Sequence, residues 1–141
     1  MKRQGLVCLM LLTMFTSSCG SSAGGHSEDA RKVGERYLRA LASEDGRRIC
    51  RLLTTGGQER VIEAFRNAGP TRSAGPARCD QAASLLYQGL GRHIGRGQIV
   101  TVDVDGDSAT LTLAYDAPHA GRIELVLRLV DGRWLVDREG S

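Results

Sequence analysis

Few side chains in this sequence are of a type that does chemistry, and fewer are spaced to do it together. The histidines are His26, His93 and His119, and the cysteines are Cys8, Cys19, Cys50 and Cys79. No histidine lies at metal-ligand spacing from another, so a metal site built on them lacks ligands. Asp103, Asp105, Gly106 and Asp107 suggest a calcium loop. Aligning Gly106 with the glycine such a loop requires puts Thr101 at its first ligand position and Thr112 at its last, where a bidentate Glu is needed. The run Gly89-Leu90-Gly91-Arg92-His93 has the composition of a phosphate cradle, but a cradle opens a helix after a strand, and here the glycines end one. Gly-x-Ser-x-Gly, His-Glu-x-x-His and P-loop patterns are absent, and no Ser or Cys nucleophile has a base nearby in sequence. On these residues alone the chain has no catalytic constellation, no metal site and no cofactor.

The cysteines instead point to export. Lys2 and Arg3 precede an apolar run from Leu6 to Phe15. Ten residues at ~1.5 Å each make ~15 Å of helix, half of the ~30 Å bilayer core, which is the layout of a secretory signal peptide rather than a span. The run ends in Thr16-Ser17-Ser18-Cys19-Gly20, which resembles a bacterial lipobox, although Thr16 stands where that motif usually has Leu. The resemblance implies a signal peptide over residues 1–18 and lipidation of Cys19, with the protein held at the extracytoplasmic face of the cell membrane. Secretion after cleavage at Ser21-Ser22-Ala23 is the alternative. Cys8 has no role in the mature chain. Cys50 and Cys79 remain, an even pair in an oxidising compartment, and a disulfide is the default for such a pair, worth ~3.5 kcal/mol for a loop of about 30 residues in the chain-entropy model. Metal binding is the rival reading of the same pair.

The elements that must position these residues follow from periodicity. Residues 19–27 read as a lipidated Cys and flexible tether, and residues 28–139 as one domain. Val33, Tyr37, Ala40 and Leu41 recur at helical spacing over Glu28–Ser43, with Ser27 as N-cap and the charges of Arg31, Glu35 and Arg39 on the opposite, solvated face. A short helix to about Thr54 buries Ile49, Leu52 and Leu53. Gly56-Gly57 ends it, and a third helix spans about Gln58–Asn67 with Val61, Ile62 and Phe65 inward. After a Pro- and Gly-containing loop over Gly69–Arg78, Asp80 caps a fourth helix that runs to about His93 and carries Leu85, Leu86 and Leu90.

Beyond Gly97 the period becomes 2. Val100, Val102 and Val104 alternate with polar residues, and a turn at Asp105-Gly106 sets Val102 opposite Ala109 and Val100 opposite Leu111. Ile123, Leu125, Leu127 and Leu129 form the next apolar face, and a turn at Asp131-Gly132 sets Leu129 opposite Trp134 and Leu127 opposite Val136. The loop between the two hairpins needs an odd number of residues, or a bulge, to keep both apolar faces on one side. Helices first and four strands last predict an α+β fold, with the N-terminal helices packed on a C-terminal four-stranded antiparallel meander.

This layout, the ending Gly132-Arg133-Trp134-Leu135-Val136-Asp137 and the stretch Tyr37-Leu38-Arg39-Ala40-Leu41 resemble the NTF2-like (SnoaL-like, cystatin-like) superfamily, in particular its actinobacterial lipoproteins. Arginine outnumbers lysine 17 to 2, which suits a GC-rich source. The resemblance implies a cone enclosing a cavity, with Tyr37, Tyr115 and Trp134 as candidate cavity residues, and it fits the placement of Cys50 and Cys79. It carries no activity, because this superfamily includes enzymes, ligand binders and association domains.

Composition narrows the function further. The chain has 141 residues, one domain's worth, and a net charge of +3 that falls to +1 once residues 1–18, which hold Lys2 and Arg3 and no acid, are removed. A nucleic-acid binder working through a broad basic surface is therefore not expected. The leading expectation is a lipid-anchored, extracytoplasmic binding or interaction module, non-catalytic, whose partner is an envelope protein or a small apolar ligand. A small hydrolase, dehydratase or isomerase using a cavity Tyr, His or Asp is the alternative. A homodimer through the outer sheet face, where Val126 and Val130 lie, is a third.

Overall fold

The computed structural model describes residues 22–68, 78–115 and 121–140. Cys8, Cys19, most of the Gly69–Arg78 loop and His119 lie outside the described residues. Five helices precede four strands: α1 (Ser22–Ala42), α2 (Gly46–Arg51), α3 (Thr55–Asn67), α4 (Cys79–Leu86), α5 (Leu90–Ile94), β1 (Gln98–Asp105), β2 (Ser108–Tyr115), β3 (Gly121–Val130) and β4 (Arg133–Gly140). The strands form one antiparallel sheet in the order β1-β2-β3-β4, so the chain is α+β with the helices ahead of a meander.

One face of the sheet is covered by α1, and the core lies between them. Tyr37, Leu41, Ile49, Leu111, Leu113, Leu125, Leu127 and Val136 are its largest fully buried side chains. α1 begins six residues before the expected Glu28, so Ser27 is not its N-cap and residues 22–27 of the expected tether are helical. Tertiary contact supports the extra turns: the His26 ring meets Trp134 edge-on at 6.3 Å. Arg31, expected on the solvated face, donates from Nη1 to the Ile99 carbonyl (3.2 Å) and ties α1 to β1.

Side-chain capping and disulfide bonding shape the shorter helices. Asp45 caps α2, accepting from Arg48 N at 3.0 Å. The Cys50–Cys79 disulfide joins α2 to the first residue of α4, with the Cα atoms 6.0 Å apart. Gly56 and Gly57 do not break a helix but lie in the first turn of α3, because Thr54 Oγ1 accepts from Gly57 N (3.0 Å) and starts the helix there. The expected fourth helix is two. Asp80 lies inside the first turn of α4 rather than capping it, and the backbone turns at Gly89, whose φ of +80° suits glycine and ends the helical path before α5. Leu85 and Leu90, expected inward, are exposed as a result.

The β3–β4 hairpin has the expected register, with Leu129 opposite Trp134 and Leu127 opposite Val136 across Asp131-Gly132, both at positive φ as a type I′ turn requires. The β1–β2 hairpin differs. Its turn is Gly106-Asp107, and Val104 faces Ala109 while Val102 faces Leu111. Gly106 alone has positive φ (+55°), the pattern of a type II′ turn with glycine in first place. A slip of two residues keeps each side chain on its own face, so the apolar pattern could not distinguish the two registers. Val100 does not face Leu111. It is the extra residue of a bulge between Ile99 and Thr101, and it is exposed. Between the hairpins, Tyr115 pairs with Gly121 across five residues, the odd number the pattern demanded.

Candidate functional site

β4 carries a second bulge, and this one builds a site. Leu127 pairs with Val136 but Val126 pairs with Arg138, leaving Asp137 as the extra residue. Side-chain alternation shifts by one beyond it. Glu139 thereby stands opposite inward-facing Leu125, at the solvent-exposed rim of that face, where an unbulged strand would have put Arg138. The bulge is held from outside the sheet. Asp137 Oδ1 accepts from Thr54 Oγ1 and from Arg60 Nη2, both at 2.8 Å. Thr54 N donates to Val136 O and Val136 N to Leu52 O, both at 2.8 Å, so residues 52–54 add a short parallel bridge to the edge of β4. One threonine thus starts α3 and fixes the bulge.

Glu139 meets two phenols. Tyr37, from the middle of α1, donates to Glu139 Oε1 at 2.9 Å, and Tyr87, from the break between α4 and α5, donates to the same oxygen at 3.1 Å. The phenol oxygens lie 3.4 Å apart. Tyr37 is 1% exposed and Tyr87 6%. Burial, and then the charge of Glu139, push the Tyr37 phenol well above its ordinary range and raise that of Tyr87 as well. Both tyrosines are therefore protonated donors at neutral pH, unsuited to act as phenolate bases or nucleophiles. Each phenol–carboxylate bond is charge-assisted, of a kind worth about 1.5–3 kcal/mol.

The three side chains are among those lining a pocket of about 340 Å³ between α3, α5 and the edge of β4. Its other walls are largely aliphatic, from Leu53, Val61, Leu86, Leu90, Ile94 and Val136, with Arg60 and Arg138 also among the lining residues. An apolar pocket with a few converging polar groups is the usual form of a small-molecule site. The donors and acceptor suit a molecule with an apolar body and one hydrogen-bonding end. Among the described residues no group of His, Cys, Asp and Glu could hold a metal ion.

The three residues expected to share a cavity do not do so. Tyr37 belongs to the cavity just described. Trp134 lines a different one of about 470 Å³ near the start of α1, and its buried Nε1 has no partner among the described residues. Tyr115 lines neither of these cavities; its ring packs over Gly121, its partner on β3. His93 is exposed on α5. Sequence reading missed Tyr87 and Glu139. Tyr87 was hidden inside a helix read as continuous, and Glu139 in a strand whose bulge has no compositional mark. Gly89, two residues after Tyr87, was the available signal for the first. No protein-family model matches the chain, and no curated protein matches it.

Proposed function

We propose that the chain is a binding module of the cell envelope, anchored by lipid at Cys19, whose NTF2-like domain holds a small molecule in the Tyr37–Tyr87–Glu139 cavity. The observation that carries this reading is the pair of buried phenols donating to one oxygen of an exposed carboxylate at the rim of an otherwise largely aliphatic pocket. An apolar body would lie against Leu53, Val61 and Val136, and a donor group would take the remaining acceptor capacity of Glu139. The α+β order and a pocket bounded by helices and the sheet edge support the NTF2-like reading. The lipobox-like Thr16-Ser17-Ser18-Cys19 supports the anchor, and α1 starting at Ser22 would hold the domain close to the membrane.

The test is native mass spectrometry on protein extracted gently from its own envelope. A mass excess too small for protein, lost on denaturation and absent in Glu139→Gln, is the expected result. A bare protein mass, or the same excess in the variant, would sink the cavity assignment. The anchor is checked on the same sample: the mature chain should begin at a diacylglyceryl Cys19, whereas an unmodified chain starting after Ala23 would mean secretion.

One observation favours a small enzyme as second reading. Glu139 and two phenol donors in a pocket could abstract a proton and stabilise the oxyanion that forms. Turnover of the identified ligand, lost in Glu139→Gln with binding kept, would establish it.

A further inference from the structure

A second site stands apart from the tyrosine cavity and does not depend on it. Arg36 lies on α1 and Arg51 ends α2, and both line two adjoining depressions. The first also holds Arg133 and Trp134; the second also holds Arg39 and Arg48. Of these arginines only Arg48 pairs with a carboxylate among the described residues, through Asp45. Arg36 donates to the Lys32 carbonyl at 3.3 Å, which leaves its charge uncompensated. Arg36 and Arg39 are three apart on one helix, and Arg48 and Arg51 three apart on the other. Like charges at this spacing repel, so the arrangement is disfavoured until an anion is present. Asp29 is the single carboxylate lining either depression.

The second observation is independent of charge. Trp134 is 5% exposed, lines the first depression, and has a buried Nε1 with no acceptor among the described residues. A buried donor without a partner is costly, and a shift of the indole that opens Nε1 to an anion seated among the guanidiniums would satisfy it. Guanidinium forks match phosphate oxygens two at a time. We infer that Arg36 and Arg51, with Arg133 and the Trp134 indole, form a site for the phosphate group of an anionic ligand, either a soluble phosphorylated molecule or a lipid headgroup. A net charge near zero concealed this concentration, because it sums over the whole chain and does not show where the arginines gather.

Trp134 is the protein's single tryptophan, so its emission reports on the site directly. Full-length chain in neutral detergent micelles would be titrated with tripolyphosphate, and separately with phosphatidylglycerol added to the micelles. A saturable change in emission is expected with at least one probe. Tripolyphosphate alone identifies a soluble ligand and phosphatidylglycerol alone a headgroup; competition between the two identifies the shared phosphate chemistry. Affinity should fall about tenfold in Arg51→Gln and further in Arg36→Gln/Arg51→Gln, and by no more than about twofold in Arg66→Gln/Arg96→Gln, which removes equal charge from exposed positions outside the site. No emission change with either probe would overturn the site. So would equal losses in the two double variants, which would reduce it to general charge attraction.

Discussion

β1 and β4 each contain one residue too many for the strand beside them, and the two surplus residues have opposite fates. In β1 the extra residue is Val100, which is 52% exposed and whose apolar side chain can form neither a hydrogen bond nor an ion pair. In β4 it is Asp137, whose carboxylate joins Thr54 at the start of α3 and Arg60 six residues later. Both bulges shift the alternation of what lies beyond them. Past Asp137 the shift brings a carboxylate under two tyrosines, while at Val100 it keeps Ile99 over Leu113 in the core and expels a valine. The difference teaches that a bulge gains a role from the contacts made to its extra residue and from the side chain it re-aims.

Removing each extra residue breaks the comparison most directly. Deleting Asp137 leaves Leu127–Val136 and Val126–Arg138 free to pair in an unbulged ladder, but it removes the acceptor of Thr54 and the partner of Arg60. A loss of about 3 kcal/mol is expected from denaturant unfolding, the sum of two hydrogen bonds to a charged, partly buried acceptor, discounted for the exposure of Arg60. A loss under about 1 kcal/mol would mean that the bulge is incidental.

Next in size is Glu139→Leu, which keeps the bulge and removes what it delivers. One phenol can then donate to the other, 3.4 Å away, but the second lacks an acceptor, and a loss of about 2 kcal/mol is expected. The same cluster makes stability depend on pH at the alkaline end. Both phenols hold their protons more tightly folded than unfolded, so their contribution is complete below pH 10 and is lost as the pH rises above it. Unfolding free energy should fall by up to about 1.4 kcal/mol per pH unit for each phenol beyond that point. Tyr87→Phe should roughly halve the slope. A slope unchanged by that substitution would mean that the alkaline loss arises elsewhere.

How far the sequence reveals this molecule depends on the kind of signal. Period-2 alternation marked all four strands, and Asp131-Gly132 fixed a register because both turn residues must take positive φ. The Cys50–Cys79 pair was readable from the parity of the cysteines in a chain whose N-terminus reads as an export signal. Alternation cannot detect a single added residue near a strand end, because Asp137-Arg138-Glu139 is charged throughout and shows no apolar phase to interrupt. The placement of Glu139 beside the phenols was therefore invisible, and Tyr37 was a candidate cavity residue without a visible partner. Tyr87 needed the helix to end at Leu86, and Gly89 weighs less in a periodicity count than the leucines on both sides of it.

Thr54→Ala should cost about 1–1.5 kcal/mol, because it removes one helix cap and one of the two side-chain donors to Asp137. Its effect should shrink to that of the cap alone in the background lacking Asp137, a coupling that a double-mutant cycle measures. Full additivity would separate the cap from the bulge and remove Thr54 from the account of the site.

The smallest effect belongs to the other bulge. Deleting Val100 leaves Ile99 facing Leu113 and Thr101 facing Thr112 in an uninterrupted ladder, and the side chain removed is already half in water. A change below about 1 kcal/mol is expected, with the tyrosine titration untouched. The strand before Val100 is anchored by Arg31 on the Ile99 carbonyl, so the sensitive outcome is that bond's geometry rather than the core. If removing Val100 instead unfolds the protein as deeply as removing Asp137, strain at the bulge and not the contacts of its extra residue governs both sites. The contrast between the two strands would then be one of position alone.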